Sequence, residues 1–263
     1  MELKYDISTK KKDYQTLISF YIITIFPEMF CAISNYGVTG KAIQKKIINL
    51  TCVNPRNFSE NKYKSIDDRP YGGGPGMLMS AKPLYLSIKY AKSLLKNAQV
   101  IYLSPQGMQL NQNNIFQLIQ KKRIIFVCGR YEGIDQRIID TLIDEEWSIG
   151  DYILTGGELA AMVIIDSVAR FIPGVINTKK SVEKESFYNN LLDYPSYTKP
   201  KKIYNMKVPD ILLSGNHEKI RLWRLKKSLE KTLEKRPDLL EKKQLKHEEK
   251  IILKNLKEIK NKK

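Results

Sequence analysis

Tyr131, Glu132, Asp151, Tyr152 and Glu158 stand in two glycine-punctuated segments, Gly129-Arg130-Tyr131-Glu132-Gly133 and the stretch 148–158, close together in the chain. Glycine lets the backbone approach a ligand closely, so that main-chain N–H and C=O groups do the reading. Aromatic and acidic side chains around such a backbone suit a neutral-to-cationic nucleoside better than a triphosphate. A third loop, Ser104-Pro105-Gln106-Gly107, has the same character. Other chemistries are excluded by pattern. The glycines at 72–76 do not spell a phosphate-binding G-x-x-x-x-G-K-[ST], and no G-x-G-x-x-G follows a strand. There is no G-x-S-x-G elbow, and neither His217 nor His247 stands by a nucleophile and a carboxylate, which argues against triad hydrolysis.

Each loop must be positioned by the apolar run beside it. Ile124-Ile125-Phe126-Val127-Cys128 is a β-branched and aromatic series typical of buried strands. Val100-Ile101-Tyr102-Leu103 precedes the third loop, and Glu146-Trp147-Ser148-Ile149 opens the second, which runs into a helix-like segment at 159–171. Three transitions of one kind predict a parallel α/β sheet with a ligand at its carboxyl edge. Upstream, residues 18–26 alternate as a strand ending at Pro27, with a short helix at 28–30. Residues 38–50 have helical spacing through Ile43 and Ile47, and 54–69 are polar and irregular. Tyr71-Gly72-Gly73-Gly74-Pro75-Gly76 must be a tight loop. Pro83, Leu84, Ile88, Ala91 and Leu95 describe an amphipathic helix, and 111–120 and 134–143 two shorter ones.

The rest of the chain reads differently. Residues 1–17 are lysine-rich and aperiodic, a disordered extension. Residues 178–197 read as a mobile linker. Ser214-Gly215-Asn216 can cap a helix over 217–236 that stops at Pro237, with Leu222, Leu225, Leu229 and Leu233 as its apolar stripe. The last helix, near 239–259, reads as merely solvated.

The net charge of +17 calls for a polyanion partner, although 36 lysines against 9 arginines, with abundant Ile and Asn, also fit an AT-rich genome. Distribution decides between them. Residues 201–263 hold 20 Lys and Arg against 9 Asp and Glu, a net of +11, whereas 131–166 carry a net of −8. Drift would spread lysine evenly, so a nucleic acid is the expected partner, with Arg221, Arg224 and Lys227 as its candidate contacts. No apolar run reaches the roughly 18 residues of a membrane span, and no signal peptide opens the chain, so no membrane partner and a cytoplasmic location are expected. Cys31, Cys52 and Cys128 are too scattered for a disulfide framework or a metal site, and no metal is expected.

Five stretches taken in order carry a resemblance: Asp68-Arg69-Pro70-Tyr71-Gly72-Gly73-Gly74-Pro75-Gly76-Met77, Tyr102-Leu103-Ser104-Pro105-Gln106-Gly107, 128–135, 144–158 and 165–175. The chain resembles the bacterial tRNA (guanine-N1)-methyltransferases, the TrmD family of the SPOUT superfamily, from about residue 18 to 237. The resemblance implies an α/β domain over 18–177 with a deep trefoil knot, a linker over 178–197 and a small all-α, basic, tRNA-binding domain over 198–263. It implies a homodimer with active sites at the subunit interface. It also implies S-adenosyl-L-methionine as methyl donor and tRNA as substrate, methylated at N1 of the guanosine just 3′ of the anticodon.

Residue roles follow from the matching motifs. The cofactor pocket would be lined by Tyr102, Leu103, Ser104 and Pro105, by Gly129, Arg130, Tyr131 and Glu132, and by Ile149, Gly150, Asp151, Tyr152, Ile153, Leu154, Gly156 and Gly157. The catalytic arginine would be Arg170, with a salt bridge to Asp166 as its structural alternative. The general base falls at Glu185, where the family carries aspartate, and Glu183 is a nearby alternative. Ala160 stands where the family usually has proline, and the extension 1–17 matches nothing recognised in the family. The Glu185 departure leaves open a non-catalytic tRNA-binding relative; another SPOUT RNA methyltransferase is the remaining alternative.

Overall fold

Five strands form one parallel sheet in the order β2-β1-β6-β5-β7, in a computed structural model that describes residues 16–176, 185–187 and 189–261, with side chains to Ile259. They are β1 (Ile18–Ile23), β2 (Ile48–Val53), β5 (Gln99–Gln109), β6 (Arg123–Cys128) and β7 (Glu145–Ser148). The short β3 (Asp67–Asp68) and β4 (Leu78–Met79) pair apart from it. The chain divides into two compact units that part between Asn177 and Thr178. The extension reading up to residue 15 and the linker reading over 178–184, with Glu183, and at residue 188 lie outside the described residues.

The sheet is covered on both faces because its central strands alternate apolar side chains to both sides. Ile124, Phe126 and Cys128 of β6 join Phe20 and Ile22 in one buried cluster with Ala161, Ile164, Ile165 and Val168 of α6 (Glu158–Ala169). Ile125 and Val127 face the other way, onto Leu84, Ile88 and Ala91 of α3 (Ala81–Leu94) and Ile138 of α5 (Gln136–Leu142). Such two-sided burial is what continuous apolar strands of a parallel sheet require. The α/β reading is thereby established.

Three readings of this unit need correction. The helical spacing over 38–50 is divided: the helix covers Gly37–Gln44, Lys46 takes a left-handed φ of 60°, and Ile48–Val53 becomes the edge strand β2, in register with β1 from Ile18↔Ile48 to Ile23↔Val53. Ile43 and Ile47 fit a helical face, but Ile48, Thr51 and Val53 are β-branched and pair better than they coil. Thr16 and Leu17, assigned to the extension, are tied to this edge, with Leu17 N–H donating to the Ile47 carbonyl at 2.9 Å. The loop at 104–107 is an irregularity inside β5, where pairing with β7 shifts between Leu103 and Met108. Gly107 makes it possible, since a Cβ there would lie 2.3 Å from Trp147 N.

The second unit is helical with one small hairpin, so its all-α description is amended by β8 (Lys202–Ile203) and β9 (Met206–Lys207). Its main helix runs His217–Lys235, capped as expected by the Asn216 side chain, which accepts from Lys219 N–H. The helix expected near 239–259 is broken into Pro237–Glu241 and His247–Asn261. The second piece is not merely solvated: Leu256 is buried with Leu229 and Leu191, and Leu225, Leu233 and Ile252 pack around them. Its apolar residues recur at helical spacing among lysines, and the charge hid the stripe. The linker reading also fails from residue 185 onward. Leu191 enters this core, Leu192 N–H donates to Thr232 Oγ1 at 2.9 Å, and Ser228 Oγ donates to the Leu192 carbonyl.

Candidate active site

The three segments meet in one pocket of about 260 Å³, where the carboxyl ends of β6 and β7 flank the irregularity within β5. Its lining includes every candidate cofactor residue except Asp151: Tyr102, Leu103, Ser104 and Pro105 from β5, Gly129–Glu132 from the loop after β6, and Ile149, Gly150, Tyr152, Ile153, Leu154, Gly156 and Gly157 from the loop after β7. Asp151 is exposed and lies outside the lining. Gly133, Trp147, Ser148, Thr155 and Ala160 complete the wall. Ser148 opens the stretch 148–158 but is not among the expected lining, and reading Trp147 only as strand concealed it, although a strand's last residues reach its carboxyl edge.

The loops are built to be close. A Cβ at Gly157 would lie 2.8 Å from Cys128 Cα, and one at Gly129 2.9 Å from the Tyr102 hydroxyl. Only glycine keeps both the strand packing and the open space. Tyr131 sits at the apex of its loop with φ of 58°, a conformation costing about 1–2 kcal/mol for a residue with a Cβ. Two neighbouring bonds hold it there: Glu132 N–H donates to the Met77 carbonyl at 2.8 Å, and Gly133 N–H to the Arg130 carbonyl at 3.1 Å. Burial, with Glu146 nearby, pushes the Tyr102 phenol up to about 12, so it stays a neutral hydrogen-bonding group.

Arg130 lines the pocket, but its guanidinium is committed to the frame. Its Nε donates to Glu158 Oε2 at 2.9 Å, Nη1 donates to the Thr155 carbonyl at 3.2 Å, and the group stacks on Phe26 at 4.6 Å. Glu158 is 0% exposed, and its other oxygen accepts from Thr24 Oγ1 at 2.9 Å. This buried network fastens the chain beyond β1 to both glycine loops. Arg170 caps the C-terminus of α6 in αR conformation, and Asp166, one turn earlier, accepts from Thr39 Oγ1 at 2.8 Å.

The second unit brings a different set together. Glu185, Arg221 and Arg224 line a cavity of about 510 Å³, joined by His217 and by Asp193 and Tyr194, neither of which stands out in the sequence. Arg221 is held by Glu218 at 2.7 Å and Glu248 at 2.6 Å, and Lys227 by Glu230 at 2.7 Å. Lys227 is not part of the lining. Among the described residues, no helix is long and apolar enough to cross a membrane, and no group of three or more His, Cys, Asp and Glu could hold a metal ion.

Fold and pocket define the class: a parallel α/β protein with a backbone-built pocket at the carboxyl edge of its sheet. Residues 18–242 match the family described as tRNA (Guanine-1)-methyltransferase TrmD. The tRNA (guanine-N(1)-)-methyltransferase of Buchnera aphidicola subsp. Schizaphis graminum is 73% identical over 259 residues, covering 98% of this chain and 99% of that protein. That of Buchnera aphidicola subsp. Acyrthosiphon pisum is 70% identical over 89% of this chain and 99% of its own. That of Actinobacillus succinogenes is 55% identical over 90% and 97%. The chain belongs to the tRNA (guanine-N1)-methyltransferase family, TrmD. Coverage of 98% leaves only a few residues unaligned, so the extension 1–17 does have a counterpart in the Schizaphis graminum relative.

Proposed function

We propose that this chain transfers a methyl group from S-adenosyl-L-methionine to N1 of the guanosine immediately 3′ of the anticodon in tRNA. The observation that carries the reading is the convergence, in one pocket of a chain of this family, of the loop residues whose motifs match the family's cofactor site. The glycine walls fit such a ligand: Gly129, Gly156 and Gly157 let the loop backbones close against Tyr102, Arg130 and Cys128, where any Cβ would clash, and so line the pocket with main chain. When bound, S-adenosylmethionine supplies an electrophilic methyl group. Guanine N1 carries a proton and is a weak nucleophile until it loses it. Glu185 takes that proton, and Arg170 donates to O6, where negative charge develops. With the proton held on Glu185 and O6 held by Arg170, the N1 electron pair would be free to accept that methyl group.

The reading includes a trefoil knot and a homodimer. Supporting the knot, Gly157 N–H donates to the Gly129 carbonyl at 3.0 Å, and Arg130 bridges Gly156, so the segment after β7 lies against the segment after β6. Supporting the dimer, Leu159 and Val163 stand one turn apart on α6 with nearly half of each side chain uncovered, and Ile153 at the pocket is 82% exposed. A second subunit would cover them.

The direct test is methyl transfer to an unmodified tRNA transcript with guanosine 3′ of the anticodon; no product with that transcript would end the proposal. The cofactor and dimer readings share a second prediction. Gly150 has φ of 153°, and a Cβ there would lie 2.4 Å from Tyr152 Cε1, so Gly150→Val abolishes S-adenosylhomocysteine binding in calorimetry. Co-expression with an Arg170→Ala subunit restores activity at about half of the heterodimer's sites, because each site would draw on both chains. Retained binding, or no recovery, would count against the respective reading.

For the basic unit, tRNA affinity falls steeply with salt. Removing the exposed lysines Lys201, Lys202 and Lys207 flattens the slope by roughly 0.7–0.9 for each phosphate that is no longer neutralised. Arg221→Ala changes it less, because two carboxylates already compensate that charge. Equal slopes for all variants would place the grip outside this unit.

A further inference from the structure

The cavity of the second unit contains a donor and an acceptor that the protein itself leaves unused. Asp193 Oδ1 and Arg224 Nε are both buried without a hydrogen-bond partner, and both residues line the same cavity of about 510 Å³ beside Glu185. Buried polar atoms are nearly always satisfied, and an unpaired one is costly, so two in one cavity call for a reason. The surrounding structure holds them in place. Asp193 N–H donates to Ser186 Oγ at 3.0 Å, and the preceding residue is bonded at both main-chain groups to Thr232 and Ser228 of the helix His217–Lys235. The Arg224 guanidinium lies 4.9 Å over the Tyr194 ring. Burial raises the Asp193 carboxyl above its usual range and the charge of Glu185 adds to this, while Ser186 and Lys231 oppose it. An occupant that donates an N–H to this carboxylate relieves that cost.

We propose that Asp193 and Arg224 are a recognition pair for guanine, Asp193 accepting from the 2-amino group and Arg224 donating to an acceptor atom of the same nucleotide. The inference rests on the reading that Glu185 takes the N1 proton, since it puts the same base in the same cavity. Guanine fits the donor set because its N1–H and 2-amino N–H lie side by side, one for each carboxylate. Adenine has no N–H at N1 and no 2-amino group, and neither cytosine nor uracil carries two adjacent N–H donors on its pairing edge. Tyr194 and Arg224 also line the adjoining cavity of about 770 Å³ with Tyr197, Lys199 and Lys201, an aromatic and cationic surface of the kind single-stranded RNA uses for stacking and phosphate contact.

The test compares two tRNA transcripts that carry guanosine or inosine at the target position, inosine lacking only the 2-amino group. The full-length protein should methylate the guanosine transcript with kcat/KM at least tenfold higher, the effect expected when a hydrogen bond to a charged group is lost. Asp193→Asn should bring that ratio below about threefold by slowing the guanosine transcript, with an unchanged helical circular-dichroism melt as a control for folding. A structural role for Asp193 would slow both transcripts alike and leave the ratio intact, which overturns the proposal. Equal efficiency on both transcripts in the unmodified protein overturns it without any variant. Should neither transcript be methylated, the functional reading fails instead. Binding of GMP against IMP then decides the pair alone: a preference for GMP that Asp193→Asn removes supports it, and none overturns it.

Discussion

Glu185→Gln is expected to lower methyl transfer by about 10²–10⁴-fold, the usual cost of losing a positioned base, while S-adenosylhomocysteine binding stays intact. Glutamine keeps the shape and polarity of the side chain and removes only its ability to take a proton. Cofactor binding should survive because the pocket that would hold the cofactor is built entirely from residues of the first unit, and Glu185 belongs to the second. Glu185→Asp is the sharper variant. The resemblance implies an aspartate at this position, so a shorter arm should leave the rate equal or higher. The local backbone makes this a question of reach. Phe187 and Asn190 are both left-handed, with φ of 72° and 53°, and Phe187 N–H donates to the Leu191 carbonyl at 2.9 Å, closing a tight turn just after Glu185. An extra methylene at a fixed turn moves the carboxylate by more than the roughly 1 Å that can cost a hundredfold. Single-turnover rates on the guanosine transcript decide it. Loss of activity in Glu183→Gln but not in Glu185→Gln would move the base two residues upstream.

The same contrast between backbone-built and tertiary sites governs what could be read from the sequence. The cofactor pocket was legible because strand-end loops are local: Ile124–Cys128 predicts a buried strand, and Gly129 after it predicts where the backbone opens. What the wall owes to neighbouring strands was not. Ala160 and Thr155 enter it only because β5, β6 and β7 lie side by side. β2 was missed because Ile43 and Ile47 satisfy a helical period, and only pairing with β1 chooses the strand. In the second unit, Asp193 and Tyr194 sit in a polar stretch whose only apolar signal, Leu191-Leu192, gains meaning from Leu229 and Leu256 far along the chain. Arg221 and Lys227 looked like free cations by helical position. Glu230, three residues on from Lys227 in the same helix, is a partner that spacing alone offers, whereas Glu248, on another helix, becomes visible as a partner of Arg221 only when the helices are packed.

Glu158 shows how a residue read as part of a binding loop can instead carry the frame. It lies on the inner side of α6, wholly buried, with Arg130 on one oxygen and Thr24 on the other; the Arg130 side chain is itself only 16% exposed. Removing one member of a buried pair leaves the other charge unpaired in a poor solvent, at a cost of about 3–5 kcal/mol. Glu158→Ala should therefore lower the melting temperature of the first unit by roughly 6–20 °C, taking about 2–4 °C per kcal/mol for a domain of this size. It should also loosen the pocket, since Arg130 no longer ties the chain at Thr155 to the loop after β6. The double variant Arg130→Met/Glu158→Leu separates the two effects. With neither charge present, most of the stability returns, because apolar replacement of a buried pair is often neutral. Cofactor affinity should not return, because no side chain then holds Thr155 and the Phe26 ring in register. Thermal unfolding and S-adenosylhomocysteine titration read the two quantities separately. A Glu158→Ala protein that melts within about 2 °C of the unmodified chain would show that water reaches Arg130 readily, and that the loops are fixed by their glycines and main-chain bonds alone.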